Sequence, residues 1–280
     1  MSGQTQLPEW VEAAVKAGLV GHAEWWDEIG STNNRALALC RDEIRHGAFP
    51  AHTDGGPLLV GATRQSAGRG RGTNVWWSQP GAMTLSLVIR PASYGWSTSD
   101  DPCAAIATAT AICRAVESVL PDAALGLKWP NDVWCRERKA GGLLVEPVEG
   151  LSGEERLLVV GVGLNVNNSV AIPEIARTAV SLVDAYGEGV PGARIDLDRL
   201  GTSFLKEAMR AWRELAADRS RLAVEWRERC VLTGRRVRIR RGDEVVAGRC
   251  DGPDDSGGLL VSTDAGRIRV VDGTVEAVSG

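Results

Sequence analysis

Lysine is scarce in this chain: of 32 basic residues only Lys16, Lys128, Lys139 and Lys206 are lysine, so arginine carries nearly all of the solvating positive charge. A lysine in an apolar setting therefore needs its own reason, because a compact point charge on a flexible stem does work that the planar arginine fork does not. The six cysteines (40, 103, 113, 135, 230 and 250) contain no C-x-x-C pair, and the three histidines (22, 46 and 52) lie apart from them. That spacing excludes a Cys/His zinc site and a disulfide framework, and leaves the cysteines as small core hydrophobes. No apolar run approaches the roughly 20 residues that cross a bilayer, and residues 1–12 lack the basic and apolar regions of a signal peptide. No membrane partner is expected, and the cytoplasm is the expected compartment. Both G-x-x-x-x-G-K-[ST] and the dinucleotide fingerprint are missing, so any nucleotide site has another architecture.

Acidic residues slightly outnumber basic ones, with a net charge of −4, and the one basic run lies at 235–241. Its arginines alternate with Val237 and Ile239, which reads as the solvated face of a strand, so no nucleic-acid partner is expected. At 280 residues with 44% hydrophobic content, the chain has the material for one large domain and a small one.

Strand and helix signals alternate up to about residue 231. Ser31 or Thr32 caps a helix over 35–45, with Gly47 in the C-terminal capping position. A short strand at 58–63 leads into a glycine-rich stretch at 65–74, and a second strand covers 83–89. Asp100 or Asp101 caps a long apolar helix, with Pro102 in its first turn, that runs to Leu120 and stops at Pro121. Strands at 125–129, 133–135, 142–148 and 157–166 form a run of hairpins, followed by helices at 179–186, 196–217 and 222–230. Beyond Cys230 short strands at 236–240, 244–250, 258–262 and 267–271 predict a small β-barrel. The fold class is α+β, a mixed sheet flanked by helices with a barrel at the C-terminus.

The richest chemistry lies in Lys128-Trp129-Pro130-Asn131-Asp132 and the following Arg138-Lys139-Ala140-Gly141-Gly142, which place two of the four lysines within twelve residues. A cation, a rigid turn and polar side chains at a strand end suit a small-molecule anion. Gly68-Arg69-Gly70-Arg71-Gly72 offers close backbone approach and two cations, and reads either as an acid- or phosphate-binding loop or as an arginine-bearing surface loop. Gly161-Val162-Gly163-Leu164-Asn165-Val166-Asn167 ends a strand whose glycines leave room for close packing, whether of a ligand or of the core.

These segments occur in a fixed order with Gly30-Ser31-Thr32-Asn33 ahead of them and Gln65 before the arginine loop. Together, over residues 24–275, they resemble the biotin protein ligases, which attach biotin to a lysine of carboxylase carrier domains. The resemblance implies a class II synthetase-like catalytic domain at 22–231, an SH3-like barrel at 232–280 and an N-terminal extension at 1–21. It implies biotin and ATP as substrates, Mg²⁺, a biotin carboxyl carrier protein as acceptor, and either a monomer or a homodimer. About 20 residues precede the catalytic pattern, one amphipathic helix (9–17) and no helix-turn-helix, so a monofunctional ligase is expected.

By the same resemblance, Ser31, Thr32, Asn33 and Gln65 meet the biotin ring, with Gly68, Arg69, Gly70 and Arg71 folding over biotin and the adenylate. Lys128 matches the family's essential lysine, with Arg69 and Arg71 beside it in catalysis, and Gly141 and Gly142 give the ligand room. Arg71, Trp76, Asn131, Asn165 and Asn167 are implied at the nucleotide end, with magnesium near Asn131. Asp132 has two readings, a base for the transfer step and a turn residue ordering its own hairpin. One departure is Asn74, which stands where many relatives carry a cation. A lipoate-type acyl ligase and a non-catalytic biotin-binding module are the alternatives; the arginine loop and the barrel favour biotin ligation.

Overall fold

Period-two alternation in the apolar strands decides the layering, and the layering decides where a cleft can form. The computed structural model describes residues 3–45, 56–170, 177–187 and 194–279. Eight strands make the main sheet: β1 (Gln4–Thr5), β2 (His22–Ile29), β3 (Leu58–Gln65), β4 (Met83–Ile89), β5 (Leu125–Lys128), β6 (Asp132–Cys135), β7 (Arg138–Pro147) and β8 (Leu158–Leu164). Their order is β1-β2-β3-β4-β8-β7-β6-β5; β2 and β3 run parallel and every other neighbouring pair antiparallel.

Leu58 and Val60 of β3, Val88 of β4 and Val159 of β8 face one side, where they close a small core with Ala36, Leu37 and Cys40 of α2 (Thr32–Arg45). The intervening Leu59, Leu87 and Val160 face the other side. There they pack with α1 (Glu9–Lys16), α3 (Ala104–Val119), α5 (Leu197–Ala217) and α6 (Arg219–Arg229). Small side chains such as Ala107, Ala111 and Ala115 let α3 lie close to the sheet, and Trp212 of α5 ties itself to α3 by donating its indole N–H to the Thr108 hydroxyl at 3.1 Å. The short α4 (Leu182–Tyr186) follows β8.

The C-terminal unit is a separate antiparallel sheet of β9 (Arg236–Arg241), β10 (Glu244–Pro253), β11 (Leu259–Thr263), β12 (Gly266–Val270) and β13 (Thr274–Ser279), ordered β12-β11-β10-β9-β13. In β9, Val237 and Ile239 are buried while Arg238 and Arg240 face solvent and pair with Glu276. All six cysteines are buried and free.

The run of hairpins and the long helices lie where the pattern puts them, and several details differ. β1, β2 and β13 are additional strands; Trp25-Trp26-Asp27-Glu28 in β2 has no period-two alternation to announce it. The helix expected at 179–186 starts only at Leu182, because Ala179 pairs with Lys139 as a β-bridge and Ser181 caps the helix through the Asp184 amide. Ser97, not Asp100 or Asp101, opens the segment before α3: it forms a capping box with Asp100 over a 3₁₀ stretch, Thr98–Cys103, that contains Pro102. The helix expected from residue 35 begins at Thr32, with the Ser31 hydroxyl accepting from the Asn34 amide at 3.4 Å. Gly47 lies outside the described residues.

Candidate active site

Strand register assembles the site. Across five strands, Thr84 of β4 pairs with Gly163 of β8, Gly163 with Gly142 of β7, Gly142 with Asp132 of β6, and Asp132 with Lys128 of β5. Side chains of one such row share a face. The row therefore has two glycines in its centre, on which the Trp76 ring and the Lys139 side chain lie, and charged groups at one end. The parallel row Ser86, Gly161 and Leu144 lies beside it.

Each floor glycine is required by what lies on it. A Cβ on Gly161 would stand 2.2 Å from the Asn33 Oδ1, and one on Gly163 would stand 2.3 Å from the Trp76 indole. Any side chain at either position would displace a wall of the cleft. Gly141 faces the other way, toward Gly163 O and the Leu164 side chain, so its role is strand packing.

The N-terminus of α2 forms one wall. The Thr32 amide and hydroxyl both donate to Gln65 Oε1, at 2.7 and 3.1 Å, and Ser86 donates to Thr32 Oγ1 at 2.7 Å and to Asn33 Oδ1 at 2.5 Å. Asn33 Nδ2 donates to Glu146 at 2.8 Å and to Leu144 O at 3.2 Å. These buried polar groups are satisfied by one another, which holds them in a single arrangement. Ser86 and Glu146 were not visible as site residues in the sequence; a lone polar residue in an apolar strand acquires meaning only once the register is known.

The arginine loop forms the roof as a narrow ribbon. Gly70 donates to Asn74 O at 2.8 Å and Trp76 to Gly68 O at 2.9 Å; Arg69 forms a β-bridge with Val75, and the ribbon turns at Gly72, whose φ is 61°. Gly68 lies against Trp76 O, where a Cβ would stand at 2.4 Å. Arg69 pairs with Glu146 on the sheet side, and Arg71 with Asp272 on the C-terminal side. Gly273, Thr274 and Val275 of the C-terminal unit also line the cleft, a contribution that no motif announced.

At the charged end, Lys139 pairs with Asp132 at 2.7 Å and lies 6.0 Å from the Trp76 ring centre. Lys128 makes no ion pair among the described residues; its ammonium sits 4.6 Å above the Trp134 ring. A ring face stabilises a cation without neutralising it, so Lys128 keeps its charge for an incoming anion. Burial pushes the Lys128 amine below the ordinary lysine value, with Asp132 opposing the shift and Lys139 adding to it. The Asn131 side-chain N–H donates to Leu143 O and its backbone carbonyl accepts from Leu143 N, which fixes Asn131 in the lining of the cleft.

The cleft thus brings together Ser31, Thr32, Asn33, Gln65, Arg69, Gly70, Arg71, Trp76, Lys128, Asn131 and Gly142, and adds Asn74, Asp132 and Lys139. Gly68 and Gly141 support it from behind. Asn165 and Asn167 lie apart from it: Asn165 accepts from Asn168 at 3.0 Å, and Asn167 exchanges hydrogen bonds with the Ile195 backbone at 2.8 and 2.9 Å.

Comparison with known proteins gives this geometry a family. Residues 47–165 match the Biotin/lipoate A/B protein ligase family, and residues 232–276 match the Biotin protein ligase C terminal domain. The biotin–[acetyl-CoA-carboxylase] ligase of Mycobacterium tuberculosis is 30% identical over 279 residues, covering 94% of each chain. The chain belongs to the biotin protein ligases. A second ligase of that name, from Paracoccus denitrificans, is 30% identical over 76% of this chain and 87% of its own. The biotin protein ligase fold is shared with the Aquifex aeolicus enzyme in complex with biotin and ATP, at a TM-score of 0.71 and 23% identity over 92% of this chain and 98% of that one.

Proposed function

We infer that the chain activates biotin as biotinyl-5′-AMP at the expense of ATP and transfers the biotinoyl group to a lysine of a biotin carboxyl carrier domain. The observation that carries this reading is the row Gly163-Gly142-Asp132-Lys128: two glycines whose open faces let Trp76 and Lys139 lie close to the sheet, ending at a lysine that has no ion pair among the described residues. The relatives from M. tuberculosis and P. denitrificans are named biotin–[acetyl-CoA-carboxylase] ligases, which supports a carboxylase carrier as the acceptor. Residues 22–231 are read as the catalytic domain and 232–280 as the barrel.

In the first step a biotin carboxylate oxygen bonds to the α-phosphorus of ATP and the bond to the β-phosphate oxygen breaks, releasing pyrophosphate. Two anions approach one another, and negative charge builds on the phosphoryl oxygens. Lys128 and Lys139 supply positive charge at that end of the cleft, and Arg69 and Arg71 supply it from the roof. Lys139 shares its charge with Asp132, so the larger electrostatic effect is assigned to Lys128. The Ser31–Asn33 and Gln65 wall, locked by Ser86 and Glu146, fits the neutral, hydrogen-bonding biotin ring. In the second step an acceptor amine attacks the acyl carbon, AMP leaves with the bonding electrons, and a proton is lost from nitrogen.

Among the described residues no cluster of three or more His, Cys, Asp or Glu side chains forms a metal cage. The side-chain oxygen of Asn131, a lining residue, is of the type that would hold a magnesium ion bound chiefly by ATP phosphates and water, and such an ion would add positive charge beside the phosphates. The reading is tested by incubating the chain with biotin, ATP, Mg²⁺ and the carrier domain of an acetyl-CoA carboxylase. One biotinoyl group should appear on the carrier by mass spectrometry and be absent when the carrier lysine is replaced by arginine; a carrier of unchanged mass refutes the transfer.

A further inference from the structure

We propose that Asp272 is a positioning residue that latches the arginine loop closed by holding Arg71. The Asp272 carboxylate pairs with one Arg71 nitrogen, and the other terminal nitrogen donates to Gly273 O at 3.3 Å. One guanidinium is therefore anchored at two points of a single turn of the C-terminal unit. That turn is fixed from behind: Gly273 has a φ of 142° and lies so close to β9 that a Cβ would stand 2.8 Å from Arg240 O and 2.8 Å from the Ile239 side chain. A rigid turn is a useful anchor, because a carboxylate on it costs little further ordering when it engages a loop.

The loop depends on such an anchor. It is a nine-residue ribbon, 68–76, with few cross-ribbon hydrogen bonds and its tip, Gly72 to Asn74, exposed. Arg69 fastens its sheet side to Glu146, and Arg71 fastens the opposite side to Asp272. Trp129 donates its indole N–H to Gly257 O at 3.0 Å, so the same C-terminal unit also holds the turn that carries Asn131. Roof and charged end are thus referenced to one body.

Asp272 is 72% exposed and Arg71 36%, so the latch is reversible. An exposed pair contributes at most about 1 kcal/mol, a factor of about 5 in an equilibrium, and weakens as salt rises. Arg71 can leave Asp272 for a phosphate and return after product release, with water replacing it on the carboxylate. This role rests on the adenylation reading, but the latch itself is a property of the chain without substrate.

Hydrogen exchange of the full chain without ligands, followed by mass spectrometry, tests it. Asp272→Asn should speed exchange of the ribbon amides of Gly70, Asn74 and Trp76 by up to about 5-fold, leave β9 to β11 unchanged, and be reversed by Asp272→Glu. Preformed biotinyl-AMP should dissociate faster from Asp272→Asn by a similar factor. Ribbon exchange identical to wild type, or equal loosening of the C-terminal strands, overturns the proposal. Because the exchange comparison uses no substrate, it decides the latch whether or not the chain forms an adenylate.

Discussion

At the scale of single residues, two lysines in one cleft are given different work by their neighbours. Lys139 is held by Asp132, whereas Lys128 rests on the Trp134 face with no ion pair among the described residues. Lys128→Ala should lower biotin adenylation by about 100-fold, the scale seen when one preorganised transition-state contact is removed, with biotin affinity changed far less; equal losses in affinity and rate would assign Lys128 to binding alone. The protonated amine is the active form. Since burial lowers its pKa, the rate should fall on the alkaline side before the ordinary lysine value of 10.5 is reached, and Lys128→Arg should push that limb upward. A pH profile of adenylation reads this directly. Asn74 lines the cleft beside Arg71, so Asn74→Arg should slow loss of preformed biotinyl-AMP, measured by filter binding. No change would show that a cation at this position does not help to hold the adenylate in this chain.

At the scale of elements, the glycine floor is the feature most sensitive to small change. Gly161→Ala should push on Asn33, and Gly163→Ala on Trp76. Overpacking of this kind costs about 1–3 kcal/mol, and here the strain falls on the ligand wall, so calorimetric biotin affinity should drop at least about 10-fold while the thermal midpoint moves only a few degrees. Unaltered biotin binding by both variants would mean that the cleft lies elsewhere. The glycines and the lysines were legible in the sequence because each breaks a local pattern: a residue without a side chain inside an apolar strand, or a lysine in an arginine-rich chain. Ser86, Glu146 and Asp272 were not, since each is a single polar residue whose partner lies 53, 77 and 201 positions away. Asn165 and Asn167 show the converse. The resemblance implied the nucleotide end for both, whereas in the structure the Asn165 side-chain oxygen accepts from Asn168 and the Asn167 amide bonds the Ile195 backbone, closing loops at the end of β8.

At the scale of the whole molecule, the helical layer opposite the cleft is fastened by a charge network. Arg114 of α3 bonds Glu214 of α5 at 2.8 Å and Glu225 of α6 at 2.6 Å, all largely shielded from water. Arg114→Met leaves Glu214 with Arg210 alone and Glu225 with Arg229 alone, and should destabilise the fold by about 3 kcal/mol in urea unfolding. Burial alone would raise the Glu214 pKa, but its hydrogen bonds to Arg114 and Arg210 hold it below the ordinary 4.5. Its stabilising contribution is therefore present above 4.5 and lost as pH falls through the lowered value, and the variant, which keeps only the Arg210 partner, should show less of this acid sensitivity. The layer matters to function because it backs the strands that carry Lys128 and the glycines, whereas the roof is tied to the body by the ion pairs of Arg69 and Arg71. The most direct test of the whole account is biotin-dependent exchange of labelled pyrophosphate into ATP with Mg²⁺, run beside lipoate and Lys128→Ala. The account predicts exchange with biotin alone, nearly abolished in the variant; exchange supported by lipoate, or none with either acid, would contradict it.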